Sequence, residues 1–130
     1  MMNPTNGNCM VQLKIPADQS YTPVATLALS GLGMVAGLDV DLLGDLRTVA
    51  GECLDCLMHQ ALVPDSIALT AGVADGRFVV RFAAQERQRR QQCDPLGLEI
   101  TRGVLETLMP DVRLESDDDG VHGIECSMPV

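Results

Sequence analysis

Two Asp-Gly turns constrain this chain more than any other feature. Asp75-Gly76 separates Ser66–Val73 from Arg77–Ala84, and Asp119-Gly120 ends the acidic turn between Val112–Ser116 and Val121–Met128. Asp-Gly supplies the positive φ angles that a tight hairpin needs. Each turn therefore predicts two neighbouring antiparallel strands. Between the hairpins, Gly97–Met109 has the period of an amphipathic helix, with Leu98, Ile100, Val104, Leu105 and Leu108 apolar and Pro110 as its stop.

The N-terminal half reads as one strand and two helices. Val11-Gln12-Leu13-Lys14-Ile15 alternates apolar and polar residues, as a half-buried strand does, and Pro16 ends it. Ser20 and Thr22 are candidate caps for a helix from Pro23 to about Gly37. Asp39 or Asp41 caps a second helix that runs to about Gln60. Leu42, Leu43, Leu46, Val49, Ala50, Cys53, Leu54 and Leu57 form its apolar stripe, and Asp45, Thr48, Glu52, Asp55, Cys56 and His59 lie on another side. Pro64-Asp65 marks a turn, and the polar segment Gln85–Asp94 reads as a loop or a short helical extension. Residues 1–10 are expected to be a disordered N-terminus and 11–130 a single domain. The order β-α-α-β-β-α-β-β predicts an α+β fold, a two-layer sandwich of a mixed or antiparallel sheet covered on one face by three helices.

Composition narrows the function classes. Hydrophobic residues make up 46% of the chain, yet the aromatics are only Tyr21, Phe78 and Phe82. The core must be aliphatic, and no stacking platform for single-stranded nucleic acid is in prospect. The net charge is −9 and Lys14 is the only lysine, so a phosphate backbone would be repelled. The basic run Arg87, Arg89 and Arg90 stands beside Glu86 and Asp94 and reads as solvated. Five cysteines at irregular spacing, a polar start and no apolar run near ~20 residues read as a cytoplasmic chain with free thiols and no membrane contact.

Several words of the sequence resemble the anti-sigma-factor serine kinases, within the wider histidine-kinase-like ATPase superfamily. They are Ile15-Pro16-Ala17-Asp18 through Tyr21, Gly37-Leu38-Asp39, Asp45 through Glu52, Pro95-Leu96-Gly97-Leu98 and Asp111-Val112 with the final hairpin. The resemblance spans about Val11 to Met128. It implies the histidine-kinase-like ATPase fold, a homodimer, and a sigma factor or STAS-domain antagonist as partner. It places Glu52 as the residue that polarises the attacking group, and puts Cys56, Gly97 and Leu98 in the ATP pocket. Three departures stand against chemistry there. Cys56 replaces the Asn that would hold magnesium, a cation that demands oxygen ligands. No Asp-x-Gly-x-Gly follows Ala84; Glu86 is the nearest carboxylate. Pro95 stands where the first glycine of the phosphate turn belongs, and proline has no N–H to offer phosphate.

The expected function is therefore anti-sigma-like regulation of transcription by protein–protein interaction, with nucleotide binding weak or lost and no cofactor. The alternatives are an active serine kinase using Mg-ATP and Glu52, and a small-ligand module reusing the former pocket. Cys53-x-x-Cys56 with His59 lacks the second ligand pair of a zinc site, His122 has no partner motif, and Asp117–Asp119 lacks the spacing of a calcium loop. The segment from Gln19 to Leu38 contains no charged residue at all. A helix so bare is either buried or an interface, and homodimerisation is its leading use.

Overall fold

Asp75 and Gly76 take φ angles of 52° and 75°, the pair of positive values that closes a two-residue hairpin. They join β2 (Leu62–Ala74) to β3 (Arg77–Arg90) in a computed structural model that describes residues 9–91 and 95–130. The second hairpin joins β4 (Asp111–Asp117) to β5 (Gly120–Pro129), with Gly120 at φ 112° and the Asp119 N–H donating to Asp117 Oδ1 at 2.9 Å. With β1 (Cys9–Pro16), the five strands form one sheet in the order β1-β2-β3-β5-β4. Every neighbouring pair is antiparallel, so the mixed alternative falls away. The helices are α1 (Thr22–Val35), α2 (Val40–Met58) and α3 (Pro95–Leu108). The fold is α+β, as its element order predicts.

Strand alternation divides the sheet into two unlike faces. Leu13, Leu69, Phe82, Ile124 and Leu114 stand in one register row, and Val11, Ala71, Val80, Cys126 and Val112 in the next. This is the face on which the helices pack: α2 contacts β2, β3 and β5, α1 contacts β2, and α3 contacts β4. Phe78 and Phe82 are the largest fully buried side chains, amid aliphatic neighbours. The opposite face carries the row Gln12, Thr70, Arg81, Glu125 and Arg113.

Some boundaries differ from the sequence reading, each for a local reason. β1 begins at Cys9, so Cys9 and Met10 belong to the sheet, while residues 1–8 lie outside the described residues. Gln85–Arg90 is strand, not loop or helix. Arg87 makes two bonds to Asp117, at 2.7 and 3.1 Å, and Arg90 bonds Asp119 at 2.9 Å. These pairs hold the polar stretch against the β4–β5 hairpin; residues 92–94 of the same segment are not described. The turn expected at Pro64-Asp65 is instead a register shift between Val63 and Pro64 within β2, where proline is tolerated. Neither Ser20 nor Thr22 caps α1. Asp18 accepts from the Ser20 N–H at 2.9 Å and opens a short 3-10 turn that leads into the helix at Thr22. Asp39 does cap α2, accepting from the Leu42 N–H at 2.9 Å.

Gly33 sets the approach of α1 to α2. A Cβ there would lie 2.6 Å from Leu43 Cδ2 and 3.0 Å from Leu46 Cδ1. The glycine is buried and leaves room for α2's stripe, whose Leu46, Val49, Ala50, Cys53, Leu54 and Leu57 are all buried. Among the described residues no helix is long and apolar enough to cross a membrane.

Candidate functional site

The residues singled out for an ATP site fall on α2 and the first turn of α3, two helices in direct contact. Glu52 lies on α2, half-buried, and its carboxylate makes no hydrogen bond or ion pair among the described residues. One turn on, Cys56 is only 5% exposed. Burial pushes its thiol up to about 11, against the lowering effect of the buried Thr101 hydroxyl on α3. Gln60 Nε2 also reaches its sulfur at 3.5 Å and its carbonyl at 2.8 Å. The side chain therefore serves the α2–α3 contact. A protonated thiol held this way offers no oxygen to magnesium, so this donor set does not fit Mg-ATP.

Gly97 and Leu98 lie inside α3, which already begins at Pro95. Their backbone is helical, so the expected phosphate turn is the first turn of a regular helix; the Leu98 side chain lies outside the described residues. After Ala84 the chain runs on as strand. Glu86 sits there exposed, at φ 57°, facing the irregular stretch of β2. The structure thus brings Glu52 and Cys56 together on one helix, packs Cys56 onto α3, and leaves Glu86 on a strand of the sheet.

The Cys53-x-x-Cys56–His59 series is dispersed. Cys53 is fully buried, with the equally buried Cys126 of β5 as a neighbour; burial drives its thiol well above the ordinary range. Cys56 turns to α3. His59 is exposed, its Nδ1 2.7 Å from the Asp55 carbonyl and 3.2 Å from Asp55 Oδ1. Among the described residues no group of three or more His, Cys, Asp or Glu side chains could hold a metal ion. His122 stands near Glu115 and Asp117, whose carboxyls it helps to hold low after their arginine partners.

Two sets of residues escaped the sequence reading. One is a ladder of ion pairs across the helix-free face: Arg77–Asp111, Arg81–Glu115, Arg87–Asp117 and Arg90–Asp119. Each joins β3 to β4 or its turn, reaching over β5. The signal was present, since Arg77 and Arg81 stand four apart on one strand, as do Asp111 and Glu115 on another. The ladder engages Arg87 and Arg90 of the basic run with the acidic turn, which removes both as free patches. The other set is a pair of amides at the end of α2. Gln91 Nε2 donates to the Met58 and Gln60 carbonyls, both at 2.9 Å, and Gln60 Oε1 accepts from the Val121 N–H at 2.9 Å. They satisfy helix-end carbonyls that would otherwise lack partners.

The third notable surface is α1. Val24, Leu27, Met34 and Val35 are exposed along it, Leu27 at 69% and Val35 at 84%, and Val40 continues the patch at the start of α2. Gly31, on the same helix, has open space where its Cβ would stand. The structure therefore answers the choice posed by the uncharged segment: one side is buried through Ala25, Leu29 and Gly33, and the other is bare apolar surface. In comparison with known proteins, no family model matches this chain and no curated protein matches it.

Proposed function

We propose that this chain is a regulatory protein of the anti-sigma-factor kind, which works by protein–protein contact and has weak or no nucleotide binding. The observation that carries the reading is Cys56. It occupies the position that the resemblance gives to a magnesium-holding amide, and it is buried against Thr101 as a packing group. Glu52, without that partner, has no phosphate to act upon. The element order and the antiparallel five-stranded sheet are compatible with a histidine-kinase-like ATPase fold, and the apolar outer side of α1 supplies a surface for association. In this reading the partner is a sigma factor or a STAS-domain antagonist, and the regulator acts as two copies.

Thermal unfolding with and without millimolar Mg-ATP tests it. Only a ligand that binds the native state raises the midpoint, so the expected shift is nil. A saturable rise of several degrees would overturn the reading and restore the serine-kinase alternative, with Glu52→Gln as the next variant to assay for phosphoryl transfer.

A further inference from the structure

The two edges of the sheet are built differently. β4 carries four charged residues in seven, Asp111, Arg113, Glu115 and Asp117, and its pairing shifts register between Glu115 and Ser116. Charges and bulges of this kind block the addition of another strand. β1 has neither. It pairs with β2 over eight consecutive positions, from Cys9–Val73 to Pro16–Ser66, with no shift, and Lys14 is its only charge. Gln12 and Lys14 are exposed on one face, and Val11 on the other is 39% exposed. Such an edge is a template for strand pairing.

We propose that the β1 edge is the seam between two copies of this chain, joined antiparallel about Leu13 into a continuous sheet. This rests on the two-copy part of the reading above and names its surface. Charge selects the occupant. From Cys9 to Leu38 the only charged residues are Lys14 and Asp18, whereas 17 of the 18 carboxylates lie beyond residue 38. A chain of net charge −9 repels its copy across most of its surface. Along β1 and α1, which packs over the adjacent β2, two copies meet with no carboxylate row facing another. A basic partner would gain nothing here and would dock on the acidic surface instead.

Pairing must keep apolar face with apolar face, so the register can slip only by two residues at a time. Centred on Leu13, it places Val11 opposite Ile15 of the other copy and Lys14 opposite its Gln12. The apolar rows of the two sheets then run on into each other. Centred on Lys14, it would set lysine against lysine.

The test is the dimer dissociation constant from sedimentation velocity. Gln12 is exposed, so its variants leave the monomer fold intact, as a thermal scan of each will verify. Gln12→Glu creates two opposite-charge pairs in the Leu13 register and should tighten the dimer. Gln12→Lys creates two like-charge pairs and should weaken it, each change by roughly 2- to 30-fold. Adding Lys14→Glu to Gln12→Lys restores attraction and should recover the dimer. A chain that stays monomeric at all concentrations overturns the seam. So does a dimer weakened by Gln12→Glu, or one that ignores residue 12 and responds only to Leu27→Glu on α1. None of these outcomes touches the nucleotide reading, which the Mg-ATP scan decides by itself.

Discussion

The two faces of the sheet are held by different forces, and neighbouring residues show it. Phe82 points into the helix layer and is fully buried; Arg81 points the other way and pairs with Glu115. One is fixed by apolar area removed from water, which is largely insensitive to pH and low salt. The other is fixed by a hydrogen-bonded ion pair at a part-exposed surface, where solvent screens much of the attraction. The inner face determines whether the chain folds, and the outer face fine-tunes how β4 is set relative to β3 across the intervening β5.

The largest break in this comparison comes from Phe82→Ala. Removing a buried aromatic ring leaves a cavity among Leu69, Ile124 and their neighbours, and the expected loss in a denaturant titration is about 3–5 kcal/mol. One position away, Arg81→Met should change stability by only about 0–1 kcal/mol, because an exposed pair contributes little and the methylene stem is kept. Equal losses from the two variants would refute the contrast. Thiol labelling gives an intermediate effect. Cys53, Cys56 and Cys126 are all buried, so a maleimide should modify them only on unfolding, as read by mass spectrometry.

The smallest effect is in pH. The Arg87 guanidinium holds the Asp117 carboxyl well below its ordinary 3.8, and Arg81 holds Glu115 below 4.5. A depressed folded-state value means stability that is fully present above the unfolded-state value and is lost as pH falls through the folded one. Stability should therefore decline from about pH 4.5 downward, and Asp117→Asn should flatten part of that decline without changing stability's dependence on Phe82. A wild-type acid limb identical to that of the variant would show that the outer ladder contributes nothing.

How much of this was legible in the sequence depended on the range of the cause. The Asp75-Gly76 hairpin and the α2 stripe from Leu42 to Leu57 are local patterns, and the structure follows them closely. The extension of β3 to Arg90 was not legible, because its stabilising partners, Asp117 and Asp119, lie about thirty residues away. A polar stretch read alone looks like a loop; opposite an acidic turn it becomes a strand. The candidate site was half legible. The i, i+4 spacing put Glu52 and Cys56 on one helix, but nothing local announced that Cys56 would turn to Thr101. The same holds for Gln60 and Gln91, whose amides meet only once the sheet has formed. The cap at Asp18 is not legible because Ser20 and Thr22 offer the same chemistry in the sequence, and only the backbone of the 3-10 turn sets Asp18, rather than either of them, to accept from an N–H.

The pairing of β1 also has a consequence in time. Cys9 meets Val73, and even Pro16 meets Ser66, so every β1 contact in the sheet closes a loop of about fifty residues or more. The β2–β3 hairpin closes across two residues. β1 is thus expected to join a sheet that has already assembled, and to leave it first. In the single chain, at concentrations too low for two copies to pair, native-state hydrogen exchange should find β1 amides opening ahead of those shared by β2 and β3. Until β1 arrives, the growing chain presents the outer edge of β2, and the interval in which that edge stands open is the period when the nascent protein is most exposed to mispairing.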